Sequence, residues 1–277
     1  MGLIDSILNL AGLLLWLNLW SVRFDSLVQP TAKTLAGTLR RADSSGSNRW
    51  KSLAGLAALL ILRPVFYREI GDALSWTPTL NLAAVALPFR SEFLGQMFLF
   101  SLFSFGITLA VYYLWLVFLA LVNRRVADAD PFQQLVHAQL GRIVRWPWLL
   151  QWLLPLLLAG ASWLVFHPLL VRWEIIPGSR STSQLVRQSA LIGLGAYLPL
   201  KYLIGVFLFT HLLASYVYLG NHPVWNFVNV TARNLLAPLR WVPLRLGKVD
   251  FAALAGIVLV FLAAEFVLHW LPKLYAL

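Results

Sequence analysis

Long apolar segments dominate this sequence and decide what it can fold into. The segment 93–122 contains no charged residue and exceeds the roughly 20 residues that an α-helix needs to cross a bilayer. Further apolar segments lie at about residues 3–22, 53–70, 146–171, 189–218 and 251–270. We expect a turn-rich loop at about 76–88, an exposed turn at 172–187 and a break at Pro199 within the segment 189–218. Hydrophobic residues make up 60% of the chain and charged residues 12%, which is more apolar surface than a water-soluble domain could bury. The sequence therefore predicts an all-α, polytopic membrane protein with about six transmembrane helices.

Short amphipathic segments separate some of these runs. Near the C terminus, apolar residues recur at the helical i, i+3, i+4, i+7 spacing: Ala232, Leu235, Leu236 and Leu239. The same spacing occurs near the N terminus at Ala32, Leu35, Ala36 and Leu39, and a weaker copy, in a surface helix predicted at about Pro131 to Arg145, contains Val136, Leu140 and Ile143. The pattern predicts three tandem repeats, each an apolar helix, a surface helix and a second apolar helix, at 1–70, 93–171 and 189–277.

The positive charge of the chain lies mostly beside the apolar runs. The net charge is +11, which in a soluble protein would suggest nucleic acid, but basic residues next to membrane spans are typical of topology signals and anionic-lipid contacts. We therefore expect no nucleic acid. The basic residues assigned to lipid or partner binding are Arg40, Arg41, Arg142, Arg145, Arg233, Arg240 and Arg245. The alternative is that these segments only anchor and orient the transmembrane helices.

The distribution of Lys and Arg also predicts an orientation. The loops after the first, third and fifth apolar runs contain more Lys and Arg than the loops on the opposite side. The positive-inside rule then places the surface helices in the cytoplasm, or in the stroma of a plastid, with both termini outside. The expected location is a bacterial inner membrane or a plastid membrane.

Three ionisable residues lie inside the apolar runs: Arg63, Lys201 and Glu265. An unpaired charge in hydrocarbon costs about 2.5–3.5 kcal/mol even on lenient scales, so each needs a partner or a function. The helical rise places all three in the outer half of the membrane, where Glu265 can reach Lys201 or Arg63. One interpretation is a helix-locking ion pair or side chains that extend to the headgroups. The other is a proton or substrate site in a small transporter or channel.

The sequence provides no recognisable reactive centre. The chain has no cysteine, which excludes disulfides, thiolate metal sites and a thiol nucleophile, and no catalytic triad, HExxH or phosphate-binding loop can be assembled. We therefore expect no enzyme activity and no metal site, and the sequence does not firmly imply a cofactor. His167 and His269 both lie near the outer face and could share a haem iron, although a histidine at a membrane boundary is more often simply hydrogen bonded.

The segment Asn234–Phe251 carries a family resemblance. It contains Pro-Leu-Arg, then Pro, Gly and Asp, at Pro238, Leu239, Arg240, Pro243, Gly247 and Asp250. In this pattern the sequence resembles the YggT (YlmG-like) family of small integral membrane proteins. It departs from the family signature at Trp241, Lys248, Ala252 and Ala253. The resemblance covers the C-terminal quarter of the chain, and the N-terminal repeat keeps only Leu39, Arg40 and Arg41 of it.

The resemblance implies assembly or scaffolding rather than catalysis. Members of that family are linked to haem-related maturation of the plastid cytochrome bf complex, to osmotic tolerance and to division-site or nucleoid organisation, without an established enzyme activity. The expected function is therefore a non-enzymatic scaffold or accessory subunit of a membrane complex concerned with electron transfer or the cell envelope. Its expected partners are anionic lipids and other integral membrane proteins. The competing hypothesis is the small transporter or channel built on the intramembrane charges.

Overall fold

The structure, a computed structural model, is almost entirely helical. It describes residues 2–28, 44–74, 77–83, 85–124, 131–179, 181–217, 220, 222–242, 245–246 and 249–276. The helices are α1 (Gly2–Val28), α2 (Ser44–Leu74), α3 (Leu94–Val122), α4 (Pro131–Leu140), α5 (Trp148–Arg172), α6 (Thr182–Gly195), α7 (Leu200–Tyr216), α8 (Pro223–Leu235) and α9 (Ala252–Ala276). The 3-10 turns Gly141–Arg145 and Ala237–Trp241 follow α4 and α8. The predicted all-α class is confirmed.

Two short hairpins accompany the helices. Strands β1 (Thr79–Leu82) and β2 (Val85–Pro88) pair with each other in a region that the sequence predicted to be only a turn-rich loop. Strands β3 (Arg245–Leu246) and β4 (Val249–Asp250) pair antiparallel, with Arg245 opposite Asp250. Strands this short give little periodic signal, which explains why the sequence pattern missed them.

Five helical segments of the described chain are long and apolar enough to cross a membrane: Gly2–Leu19, Leu94–Val122, Trp148–Arg172, Thr182–Tyr216 and Ala252–Leu271. They confirm five of the six predicted crossings and the assignment of the chain to the membrane proteins. The remaining one, residues 53–70, lies in α2, which is a helix but is not among the five. Arg63, Arg68 and Glu69 lower the hydropathy of that segment.

The fifth crossing begins earlier than its apolar pattern predicts. The sequence placed its start at Ser189 and read 172–187 as an exposed turn, but α6 begins at Thr182. The hydroxyl of Ser181 accepts a hydrogen bond from the backbone N–H of Gln184, which caps the helix N-terminus. The first turn of α6 is polar, so the helix start is marked by this cap and not by apolar periodicity.

Pro199 interrupts the same crossing, as predicted. Helix α6 ends at Gly195 and α7 begins at Leu200. The connecting residues keep helical hydrogen bonds of the i→i−3 type, including Leu200 N–H to Tyr197 C=O and Tyr202 N–H to Pro199 C=O. Because proline lacks an N–H donor, this tighter winding is how the chain passes the break.

The chain divides into two compact units. Unit one contains residues 1–80, 86–112 and 172–176, and unit two contains 81–85, 113–171 and 177–277. The predicted repeats at 1–70, 93–171 and 189–277 stay a prediction, because a division of the chain by its contacts does not test whether its segments are repeats of one another. The first predicted surface helix lies within residues 29–43, outside the described residues.

Unit one is built on α1 packed against α2. Gly12 of α1 lies so close to α3 that an added Cβ would stand 2.8 Å from the ring of Phe105, and this small residue therefore allows the helices to approach. The buried ring of Phe100 packs edge-on against Tyr67 and against Phe89, each with ring centroids 5.5 Å apart. These contacts hold α2 and α3 around the polar cluster described below.

Unit two is built on close helix pairs that use glycines. A Cβ added at Gly205 of α7 would meet the Phe261 ring of α9 at 3.1 Å, and one at Gly256 of α9 would meet Leu208 of α7 at 2.9 Å. In α5 and α6, Ser189 donates a hydrogen bond to the carbonyl of Gly160 at 2.9 Å. Small residues let transmembrane backbones approach closely enough for such contacts.

The apolar face of α8 packs inside the protein. Ala232 and Leu236 are buried in one cluster with Leu208 of α7 and Ala253 of α9, and Leu235 and Leu239 pack against it. The helical spacing predicted this face correctly. The protein's own helices α7 and α9 cover this face.

Candidate functional site

Arg63 is the centre of a buried polar cluster in unit one. Its side chain is 1% exposed and forms an ion pair with the carboxylate of Asp5 in α1. It also donates from Nη1 to Asn9 Oδ1 at 2.8 Å and from Nε to the Tyr67 hydroxyl at 2.6 Å. The Arg63 guanidinium is therefore neutralised by Asp5 and hydrogen bonded through all three of its nitrogens.

The remaining members of the cluster complete each other's hydrogen bonds. Ser104 of α3 donates to Asp5 Oδ2 at 2.8 Å and accepts from Asn9 Nδ2 at 2.8 Å. The Tyr67 hydroxyl donates to Asp5 Oδ1 at 2.8 Å. The cluster therefore ties α1, α2 and α3 together, which is what a helix-locking ion pair does.

The partner of Arg63 is Asp5, and Glu265 pairs with Lys201. The position of Arg63 within an apolar run marked it in the sequence, whereas Asp5 and Asn9 were not predicted as its partners. The available signal was spacing: Asp5 and Asn9 are four residues apart on α1, and Arg63 and Tyr67 are four apart on α2, so each pair shares a helix face.

Lys201 and Glu265 form the intramembrane ion pair of unit two. Lys201 Nζ lies 3.2 Å from Glu265 Oε1. The Lys201 side chain is 11% exposed, whereas that of Glu265 is 66% exposed. The Lys201 ammonium also lies over the rings of Tyr202 and Phe261, at 5.3 and 5.9 Å from their centroids. Lys201 is thus enclosed between α7 and α9, while Glu265 stands on their outer side.

A second polar cluster of unit two surrounds Asn123, just after the end of α3. Asn123 and Thr231 are both fully buried, and Asn123 Nδ2 donates to Thr231 Oγ1 at 2.8 Å. Asn234 Nδ2 donates to Asn123 Oδ1 at 3.0 Å and lies 3.4 Å from the Val122 carbonyl. Gln133 Nε2 of α4 lies 3.3 Å from the Asn123 carbonyl. Side chains of α4 and α8 therefore satisfy carbonyls at the end of α3 that have no partner within that helix.

These contacts join α4, the turn Gly141–Arg145 and α8 into one structural element, which we call the basic platform. Phe132 of α4 and Phe227 of α8 stack with ring centroids 5.7 Å apart. Gln151 Nε2 donates to the carbonyls of Ile143 and Val144, which fixes the turn to the start of α5. None of these polar residues was predicted as functional, because buried amides in a short polar loop carry no distinctive sequence pattern.

The basic platform presents some of the predicted binding residues on its surface. Arg142, Arg145 and Arg233 are exposed. Trp146 and Trp148 follow the turn and are also exposed, and Trp241 after α8 is 92% exposed. The side chains of Arg240 and Arg245 lie outside the described part of the structure, as do Arg40 and Arg41 entirely. Exposed arginine next to indole is the combination that suits the headgroup region of a membrane.

The residues of the family resemblance fall in the segment between α8 and α9. Pro238 and Leu239 lie in the 3-10 turn, and Leu239 packs against the α8 cluster. The backbone of Asp250 pairs with Arg245 in the β3–β4 hairpin. Pro243 and Gly247 are outside the described residues. The segment is thus a helix end, a turn and a hairpin that lead directly into α9.

The two histidines considered for haem have different surroundings. His167 of α5 is buried, with its ring centroid 5.6 Å from that of Trp163, whereas His269 of α9 is exposed. Among the described residues no group of three His, Cys, Asp or Glu side chains is placed to hold a metal ion. Haem binding by His167 and His269 stays the less favoured alternative of the sequence analysis, and nothing in the described residues tests it.

Comparison with protein families, with curated proteins and with solved structures finds no match to this chain.

Proposed function

We propose that this chain is a non-enzymatic integral membrane scaffold that serves as an accessory or assembly subunit of a larger membrane complex. The observation that carries the proposal is the attachment of α4 and α8 to the end of α3 through buried Asn123. A segment that only anchors neighbouring helices needs no such buried polar connection, since burying polar groups is unfavourable unless each is paired. The connection holds the exposed arginines of the basic platform on a rigid support.

The platform acts by docking. Arg142, Arg145 and Arg233 bind phosphate or carboxylate groups of anionic lipid headgroups or of an acidic partner surface, while Trp146 and Trp241 sit at the headgroup level. The platform faces the cytoplasm or the stroma, and both termini lie outside. The resemblance of the segment after α8 to the YggT family favours a complex that is concerned with electron transfer or the cell envelope.

Pairing of the intramembrane charges supports a scaffold over a transporter. Arg63 is enclosed by Asp5, Asn9 and Tyr67, and Lys201 is neutralised by Glu265. Charges that carry a proton or substrate must exchange partners, whereas a buried hydrogen-bonded cluster such as that around Arg63 favours one arrangement. Proton or ion flux through protein reconstituted in liposomes, lost in Glu265→Gln, would instead establish the transporter hypothesis.

Native complex size tests the scaffold. The tagged chain is expressed in its own membrane, purified in mild detergent and compared with a variant carrying Arg142→Gln, Arg145→Gln and Arg233→Gln. We expect a defined complex with fixed stoichiometry for the native chain and a marked loss of that complex for the variant. An absorption spectrum of the same sample tests for haem.

The matched control removes three exposed arginines from the predicted opposite side, with Arg68→Gln, Arg172→Gln and Arg187→Gln. It changes the net charge equally, so we expect the complex to persist. Equal loss in both variants would show that total charge matters, and a native chain that migrates alone would contradict the proposed function.

A further inference from the structure

Glu265 lies within the hydrocarbon-crossing part of α9. The span runs from Ala252 to Leu271, and at 1.5 Å per residue Glu265 is about 20 Å from its start and about 9 Å from its end. The carboxylate is nevertheless 66% exposed on the outer side of the α7–α9 pair. A membrane-embedded acidic group normally faces the interior of its own bundle, so this position needs an explanation.

The hydrogen bonds of Glu265 are incomplete. Among the described residues its carboxylate has one donor, the ammonium of Lys201, which reaches Oε1. An ionised carboxylate can accept several hydrogen bonds, and lipid tails supply no donors. The exposed carboxylate therefore has an unmet acceptor capacity at a depth where water is scarce.

The surface around Glu265 is apolar and continuous along one side of α9. Leu262 is 61% exposed and Phe266 is 64% exposed, and Val258 one further turn back is also exposed. Leu262 and Val258 precede Glu265 by three and seven residues, which places all three on one helical face. A helix laid along α9 would cover this face and reach the carboxylate.

The charge of the pair defines the chemistry of the partner. Lys201 and Glu265 neutralise each other, so a third full charge would leave a net charge in hydrocarbon. An uncharged donor completes the hydrogen bonds of the Glu265 carboxylate without adding charge. The side-chain amide of Asn or Gln and the hydroxyl of Ser or Thr are such donors. Such groups commonly hydrogen bond between transmembrane helices.

A second copy of this chain does not fit with its own α9 face against this one. Copies that share one orientation in a membrane are related by a rotation axis along the membrane normal, so equivalent residues stand at equal depth. Two α9 faces would then bring Glu265 against Glu265. Carboxylates facing each other are repulsive, which favours a different protein.

We propose that the α9 face around Glu265 is a lateral docking site for a transmembrane helix of another protein, which donates an uncharged amide or hydroxyl hydrogen bond to the carboxylate. The proposal deepens the proposed function, because it rests on the chain having an integral membrane partner. It assigns that partner a contact surface within the bilayer, separate from the basic platform.

A synthetic transmembrane peptide tests the site directly. The full chain, which contains no cysteine, is labelled with a donor dye at Gly178→Cys in the exposed loop before α6 and reconstituted in vesicles. The probes are acceptor-labelled Leu/Ala helices that carry either Gln or Leu six residues from one end. We expect energy transfer to the Gln peptide at a roughly five- to tenfold lower peptide density than to the Leu peptide.

Variants of the pair identify the acceptor. Glu265→Gln keeps a hydrogen-bonding amide and should retain a preference for the Gln peptide, whereas Glu265→Leu should abolish it. Since Glu265→Leu leaves Lys201 unpaired and can impair folding, the double variant Lys201→Met/Glu265→Leu, which leaves no charge at the site, must also lose the preference. Val165→Leu, on an exposed position of α5, is the matched control and should bind as the native chain does.

Three results would overturn the docking site: equal binding of both peptides to the native chain, a preference that survives in the double variant, or energy transfer between copies of the chain that depends on Glu265. Any of them can occur while the complex that depends on the basic platform persists. In that case the lateral site is wrong and the scaffold function stands. If the platform-dependent complex is absent but the peptide preference holds, the scaffold function is wrong and the α9 site stands.

Discussion

The side-chain amide of Asn123 donates a hydrogen bond to the hydroxyl of Thr231 at 2.8 Å, across a sequence separation of 108 residues. Both side chains are fully buried, and the bond ties the end of α3 to α8. The uncharged Asn123–Thr231 hydrogen bond therefore helps to hold the exposed arginines of the basic platform in position.

Thr231→Val should destabilise this junction. The substitution keeps the shape of the side chain but leaves an N–H of Asn123 without an acceptor, a change that costs about 1–3 kcal/mol when the group is buried. Unfolding in a denaturing detergent, followed by far-UV circular dichroism, measures the loss. Thr182→Val, at an exposed position at the start of α6, should leave stability nearly unchanged, and an equal effect of the two substitutions would contradict the role of the Asn123 cluster.

The Asp5–Arg63 pair should be more sensitive to loss of one partner than to loss of both. Arg63→Met leaves the Asp5 carboxylate beside an apolar side chain, and breaking a buried ion pair in this way costs about 3–5 kcal/mol. Asp5→Asn combined with Arg63→Met removes both charges and should be less damaging than Arg63→Met alone. Detergent unfolding of the single and double variants gives the coupling free energy, and strictly additive effects would exclude a functional pair.

Substitution of Gly256 should disturb the contact between α7 and α9. A Cβ at this position would lie 2.9 Å from Leu208 and 3.1 Å from Leu236, so Gly256→Val should destabilise by about 1–3 kcal/mol through overpacking. Gly106→Val in α3 is the control, because a Cβ there meets nothing within 4 Å. Comparable losses at both glycines would indicate a general effect of valine on these helices.

Removal of the platform arginines should weaken binding of anionic lipid. The combined variant Arg142→Gln, Arg145→Gln and Arg233→Gln should lower the affinity for an anionic phospholipid by at least about tenfold, because basic side chains near a membrane surface each attract anionic headgroups. Native mass spectrometry in nanodiscs with defined anionic lipid measures retained lipid. The effect should shrink at high salt, and retention that is the same in low and high salt would argue against an electrostatic platform.

Much of the fold is encoded locally. Five of the crossings, the surface segment beginning at Pro131 and the break at Pro199 were predicted, because the apolar thickness of a bilayer and the missing N–H of proline act on short stretches of sequence. The sequence also predicted that Arg63, Lys201 and Glu265 need partners, since an isolated charge among apolar residues is unfavourable wherever the chain places it.

The identity of those partners was decided only by the tertiary structure. Asp5 reaches Arg63, and Ser104 reaches Asp5, because α1, α2 and α3 approach each other at particular faces. The approach of Gly12 to Phe105 is likewise a property of packing and not of either segment alone. The same holds for α8: its amphipathic spacing predicted which residues share a face, but not that α7 and α9 cover it. Periodicity specifies a face from consecutive residues, whereas the choice between lipid and protein as its cover depends on contacts between segments far apart in the chain.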